Sequence, residues 1–146
     1  MNNKFKWVVV CAAFAVSGLA QAGPTVTIVV KNNSDKEAIY NPMNQQEMLT
    51  RSSTLRTPLT PLPPRASDRY RVEGRLSADF TTANVRYKVG NKTCRFMSSY
   101  VKSFDKGRPA PKWNKAASSP DGARCDAKIT SANPSTHEWT VEFTMR

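Results

Sequence analysis

The stretch that most constrains this chain is Val85-Arg86-Tyr87-Lys88-Val89, followed by Gly90-Asn91 and then Lys92-Thr93-Cys94-Arg95-Phe96. Two runs that alternate apolar and polar residues around a two-residue turn signal specify a β-hairpin. The short turn also fixes the register: Val85 faces Phe96, Tyr87 faces Cys94, and Val89 faces Lys92. Strand side chains alternate between faces, so Val85, Tyr87, Cys94 and Phe96 share one face, and Arg86, Lys88, Thr93 and Arg95 share the other. One hairpin is thus expected to carry an apolar, cysteine-bearing face and a basic one.

Other segments read in the same way. Thr25 to Val30 is β-branched throughout and ends in a turn cluster, Lys31 to Asp35. Glu37 to Tyr40 suits a short return strand stopped at Asn41-Pro42, and Met43 to Thr50 has helical composition in a short stretch. Pro58, Pro61, Pro63 and Pro64 make 57–64 a rigid surface connection within a longer irregular segment. Asp68 to Glu73 alternates, Cys125 to Ile129 is β-like, and Trp139, Val141, Phe143 and Met145 alternate with polar residues. Residues 98–121 are polar and rich in Pro, Gly and Ser, and read as a long basic loop. The pattern predicts an all-β fold over residues 23–146: one antiparallel β-sandwich-like domain of about six to seven short strands.

Residues 1–22 read as a cleaved signal peptide. Lys4 and Lys6 precede the apolar run Trp7 to Leu19, and Ala20-Gln21-Ala22 is a small-x-small cleavage site, predicting a mature start at Gly23. The apolar run is shorter than the roughly 20 residues a bilayer span needs, so the mature chain is expected to carry no transmembrane segment. An exported protein, periplasmic or extracellular, follows. Cys11 leaves with the signal peptide, its preceding Val8-Val9-Val10 being unlike a lipoprotein site. Cys94 and Cys125 remain, and an oxidising compartment predicts a disulfide between them. With no CxxC and one histidine, His137, metal ligation is the weaker reading of the two cysteines.

Charge supplies the functional signal. The chain holds 22 Lys and Arg against 11 Asp and Glu, a net of +11. Between residues 86 and 115 lie nine basic residues and one acid, Asp105. The candidate anionic-partner surface is Arg86, Lys88, Arg95, Lys102, Lys106, Arg108, Lys112, Trp113 and Lys115, with Tyr100 and Phe104 interleaved. Cations beside aromatics suit an anionic partner, attracted at long range and held by stacking or interfacial insertion. Export argues for an anionic lipid, an envelope polymer or an acidic protein, with peripheral membrane contact, and against nucleic acid. No G-x-S-x-G, HExxH, paired-carboxylate or phosphate-cradling motif occurs, so no enzyme and no cofactor is expected, and His137 reads as an ordinary surface or strand-edge residue. Asn32-Asn33-Ser34 and Asn91-Lys92-Thr93 match glycosylation acceptors.

The expected function is non-catalytic binding through the basic hairpin and loop. Two further classes fit the same features: an inhibitor or immunity-type protein blocking an enzyme or toxin in its compartment, and a membrane-active effector inserting Phe104 and Trp113.

Overall fold

The computed structural model describes residues 21–146, so the expected signal peptide falls almost wholly outside the described residues. Among the described residues, eight strands and one helix run in the order β1 (Gly23–Asn32), β2 (Ala38–Tyr40), α1 (Gln45–Ser52), β3 (Ser67–Gly74), β4 (Phe80–Val89), β5 (Lys92–Asp105), β6 (Arg108–Ser118), β7 (Cys125–Ala132) and β8 (Trp139–Met145). They form two four-stranded sheets, ordered β3-β1-β8-β7 and β2-β4-β5-β6. No helix among the described residues is long and apolar enough to cross a membrane.

Alternation explains most of this. In β1, Val26, Ile28 and Val30 are buried, and in β8 so are Trp139, Val141, Phe143 and Met145. From the other sheet come Ala83, Val85, Tyr87, Cys94, Phe96 and Tyr100, and all these side chains belong to one core cluster. Each large apolar side chain contributes about 1.5–3 kcal/mol on burial. Several contacts join the sheets directly, three of them through side chains at the centre of the core cluster. Phe96 stacks on Phe143 with ring centroids 4.7 Å apart. The Tyr70 and Tyr87 hydroxyls meet at 3.0 Å within the core. Cys94 of β5 is bonded to Cys125 of β7.

Three expectations need correction. The strands number eight among the described residues, and one neighbouring pair is parallel: β1 and β8 align from Val26–Trp139 to Asn32–Met145. That pairing joins distant parts of the chain, where local turn chemistry carries no signal. The stretch 98–121 is mostly strand, not loop. Here β5 continues to Asp105, turns at Lys106-Gly107 with φ of 48° and 78°, and returns as β6. Two consecutive positive φ values suit a tight hairpin turn and make Asp105 and Arg108 the first bonded pair. Bonded and non-bonded pairs then alternate, so Pro109 and Pro111 fall where their nitrogens face away from β5.

Helix α1 is short, and its ends compensate. Asn44 caps it by accepting from the Glu47 backbone N–H at 2.9 Å, and Glu47 accepts in return from the Asn44 backbone. This reciprocal box satisfies donors that a short helix otherwise leaves open. The helix lies along the part of the β4 edge that β2 does not reach: the Asn84 N–H donates to Thr50 Oγ1 at 2.9 Å. The proline segment has no regular strand or helix but is anchored, because Leu62 is fully buried and Asn32 Nδ2 donates to the Leu62 and Pro63 carbonyls. Asn32 is itself fully buried, which closes the first glycosylation acceptor to modification.

Candidate functional site

The basic hairpin has the register its turn dictates: Val85 opposite Phe96, Tyr87 opposite Cys94, Lys88 opposite Thr93 and Val89 opposite Lys92. Gly90, at φ 61°, supplies the backbone conformation the turn requires. Arg86 and Arg95 are therefore direct cross-strand neighbours, a like-charge pairing that is unfavourable without relief. Relief comes from within the molecule. Arg86 Nη2 and Nε both donate to Glu47 Oε1, at 2.8 and 3.0 Å. Only 11% of the Arg86 side chain and 4% of that of Glu47 are exposed. Glu47 also accepts from the Asn44 side-chain amide and from the Met43 and Asn44 backbone N–H groups. Burial alone would raise the Glu47 pKa, but the hydrogen bonds from Arg86, Met43 and Asn44 prevail and hold it below the ordinary value. Arg86 thus belongs to the structural joint between α1 and β4 and leaves the candidate surface.

The remaining candidates do not converge on one patch. Lys88 and Arg95 share the hairpin's solvent side near the Gly90 turn. Lys112 is on the same side but pairs with Val101, six residues along β5 from Arg95, or roughly 20 Å. Lys102 makes an ion pair with Asp79 at 3.3 Å. Lys115 is exposed on β6, in the row of Ser98. Trp113 is half-buried against Tyr100, with centroids 5.8 Å apart, and its indole N–H donates to the His137 carbonyl at 3.1 Å. It is a packing residue and not a free anchor.

What the topology does create is an arm. The β4–β5 pairing ends at Phe80–Val101, while the β5–β6 pairing continues to Asp105–Arg108. Residues 103–110 thus form a two-stranded projection past the sheet, with Lys106 and Gly107 at its tip. Phe104, paired with Pro109, is 66% exposed there. Among the described residues, Lys106, Arg108 and Lys112 make no ion pair.

Sequence reasoning underrated His137. It occupies a left-handed backbone position at φ 63°, is half-buried, and stacks on Tyr100 with centroids 5.0 Å apart. The Tyr100 hydroxyl lies 2.8 Å from its Nδ1. Burial raises the Tyr100 pKa. The buried serine of this cluster, Ser98, accepts from the Trp139 indole at 2.8 Å and donates to the Asn114 carbonyl, so it is not paired with the imidazole as a nucleophile. The only sequence signal was the run of aromatics around a single histidine; their meeting depends on pairing between distant strands.

Two other hollows hold none of the candidate cations. One, of about 660 Å³, lies over Thr27, Arg69, Arg71, Glu138 and Thr140. The other, of about 390 Å³, is an apolar groove between Leu49, Leu76 and Phe80. Among the described residues no group of three or more His, Cys, Asp or Glu side chains is placed to hold a metal ion. Compared with known proteins, the chain matches no family model, no curated protein and no solved structure.

Proposed function

We infer that this is an exported, non-catalytic binding protein with a β-sandwich-like body, and that it docks on an anionic lipid surface through the β5–β6 arm. The observation that carries the reading is the projection itself. It exposes Phe104 on one face of the ribbon and Arg108 on the other, with Lys106 at the turn and Lys112 at the base of the Arg108 face. An aromatic ring at a tip can enter the headgroup region while neighbouring cations remain with the phosphates. Of the basic excess only Lys4 and Lys6 leave with the signal peptide, so the mature chain stays strongly positive, which supports attraction to such a surface at long range. The disulfide supports an oxidising compartment, periplasmic or extracellular.

Vesicle sedimentation with the mature chain tests this. Phosphatidylglycerol vesicles should retain the protein at low salt and release it as salt rises, and phosphatidylcholine vesicles should not retain it. Each cation near an anionic membrane is worth about 1 kcal/mol, so Lys106→Gln with Arg108→Gln should weaken retention roughly thirtyfold. Phe104→Ser should weaken it further. Unchanged retention by the variants would remove the arm from the binding surface. Capture of one acidic protein with no vesicle binding would favour the inhibitor reading.

A further inference from the structure

Gly23 opens β1 and pairs with Gly74, the last residue of β3. It is buried, while the two residues before it, Gln21 and Ala22, are exposed. The reason it must be glycine is local. A Cβ at Gly23 would lie 2.5 Å from the Ser77 carbonyl oxygen, 2.5 Å from Thr81 Oγ1 and 2.9 Å from the Phe80 carbonyl oxygen. A Cβ at Gly74 would collide with the same Thr81 hydroxyl. Three oxygens therefore converge on one side of the Gly23 Cα, and a side chain there is excluded.

Two of these oxygens are poorly used. Thr81 is 2% exposed, and its Oγ1 is buried without a hydrogen-bond partner. The Ser77 carbonyl receives only a long bond, 3.5 Å, from the Phe80 N–H. A buried hydroxyl without a partner costs about 1–3 kcal/mol, so a donor placed among the three would be favoured. No side chain on either glycine can supply it.

We propose that the α-amino group released at Gly23 is that donor, and that this acceptor socket is a binding site for the mature N-terminus. The proposal rests on the export reading for its cleavage position. Hydrolysis of the Ala22–Gly23 bond places water's hydroxyl on the Ala22 carbonyl carbon and its proton on the Gly23 nitrogen. Near neutral pH the amine takes up a further proton, giving three N–H donors. While Ala22 is attached, the Gly23 nitrogen is committed to the chain path toward solvent. Once free, rotation about the Gly23 Cα–C bond can swing it into the volume a Cβ would fill. Slight relaxation there gives ordinary charge-assisted distances to Ser77, Thr81 and Phe80. Three carboxylates lie nearby: Asp79 is between Ser77 and Phe80, Glu73 precedes Gly74 and is paired with Arg75, and Glu138 lines a shallow hollow with Ala22, Gly23 and His137. Processing would then lock the first strand to the β3–β4 connection.

The test compares chains of defined N-terminus, one starting at Gly23 and one retaining Ala22, each released from a fusion protein. The Gly23 form should melt higher by on the order of 5 °C. Thr81→Ser should preserve that gap, and Thr81→Val should shrink it. Melting temperatures within about 1 °C of each other would overturn the proposal, because that comparison leaves the core unaltered. A gap of the same size in Thr81→Val would overturn it too. Intact-mass analysis of exported protein separates the two ideas. A first residue other than Gly23 would refute the cleavage site, whereas the melting comparison on defined chains reads the socket alone.

Discussion

Arg86 and Arg108 come from the same basic stretch of sequence, yet the fold holds them in opposite ways. Arg86 is nearly buried and spends two donors on Glu47, whose remaining capacity is filled by the start of α1. Arg108 is exposed at the arm's turn, with Asp105 across from it. A count of charges treats the two alike. Burial and partner geometry make the first part of the architecture and leave the second open to water, salt and other molecules.

The largest expected effect lies on the Arg86 side. Glu47→Ala leaves a nearly buried guanidinium unpaired and removes one half of the α1 capping box, and should cost about 3–5 kcal/mol in denaturant unfolding. The loss has a pH signature. Because the folded-state pKa of Glu47 is lowered, its contribution is present above the ordinary glutamate value of about 4.3 and disappears as pH falls through the folded-state value. The parent should therefore lose stability over that acid range, and Glu47→Ala should lose less. Replacing Arg86 should likewise destabilise the fold without altering vesicle retention.

Removing the disulfide by replacing Cys94 and Cys125 together with Ala should come next, at about 3–4 kcal/mol for a loop of this length. Equilibrium unfolding with and without reductant checks it. On the arm, Lys106→Gln with Arg108→Gln should change stability by no more than about 0.5 kcal/mol while weakening retention. The smallest effect is expected for Lys88→Gln with Arg95→Gln. Both are exposed near the Gly90 turn, at the far end of β5 from the arm. If that pair governs vesicle retention and the arm does not, the contrast between the two regions is wrong in its functional half.

What could be read from sequence follows the range of the forces involved. The β4–β5 register was legible residue by residue, because a two-residue turn and alternation are both local. Trp139 to Met145 was legible as a half-buried strand for the same reason. β6 was not, because its backbone pairs with β5 along one edge while its side chains remain mostly wet. An edge strand of that kind tolerates Pro109, Pro111, Lys112 and Lys115, which in sequence spell a loop. The site suffered from the same limit. Lysines and arginines announce charge, but that Glu47 would claim Arg86, or that Trp113 would cover His137, depends on contacts between remote segments.

The parallel pairing of β1 with β8 also governs when the protein can finish folding. β8 lies between β1 and β7, so the first sheet cannot assemble until Trp139 to Met145 is available. The β4–β5–β6 hairpins can form from neighbouring sequence alone, but the surface they must bury stays uncovered until that last strand arrives. Contacts so distant along the chain carry a large loop-closure cost and slow the final step. A chain emerging from its N-terminus would thus hold only local hairpins until its last strand appears, and would become compact late and all at once.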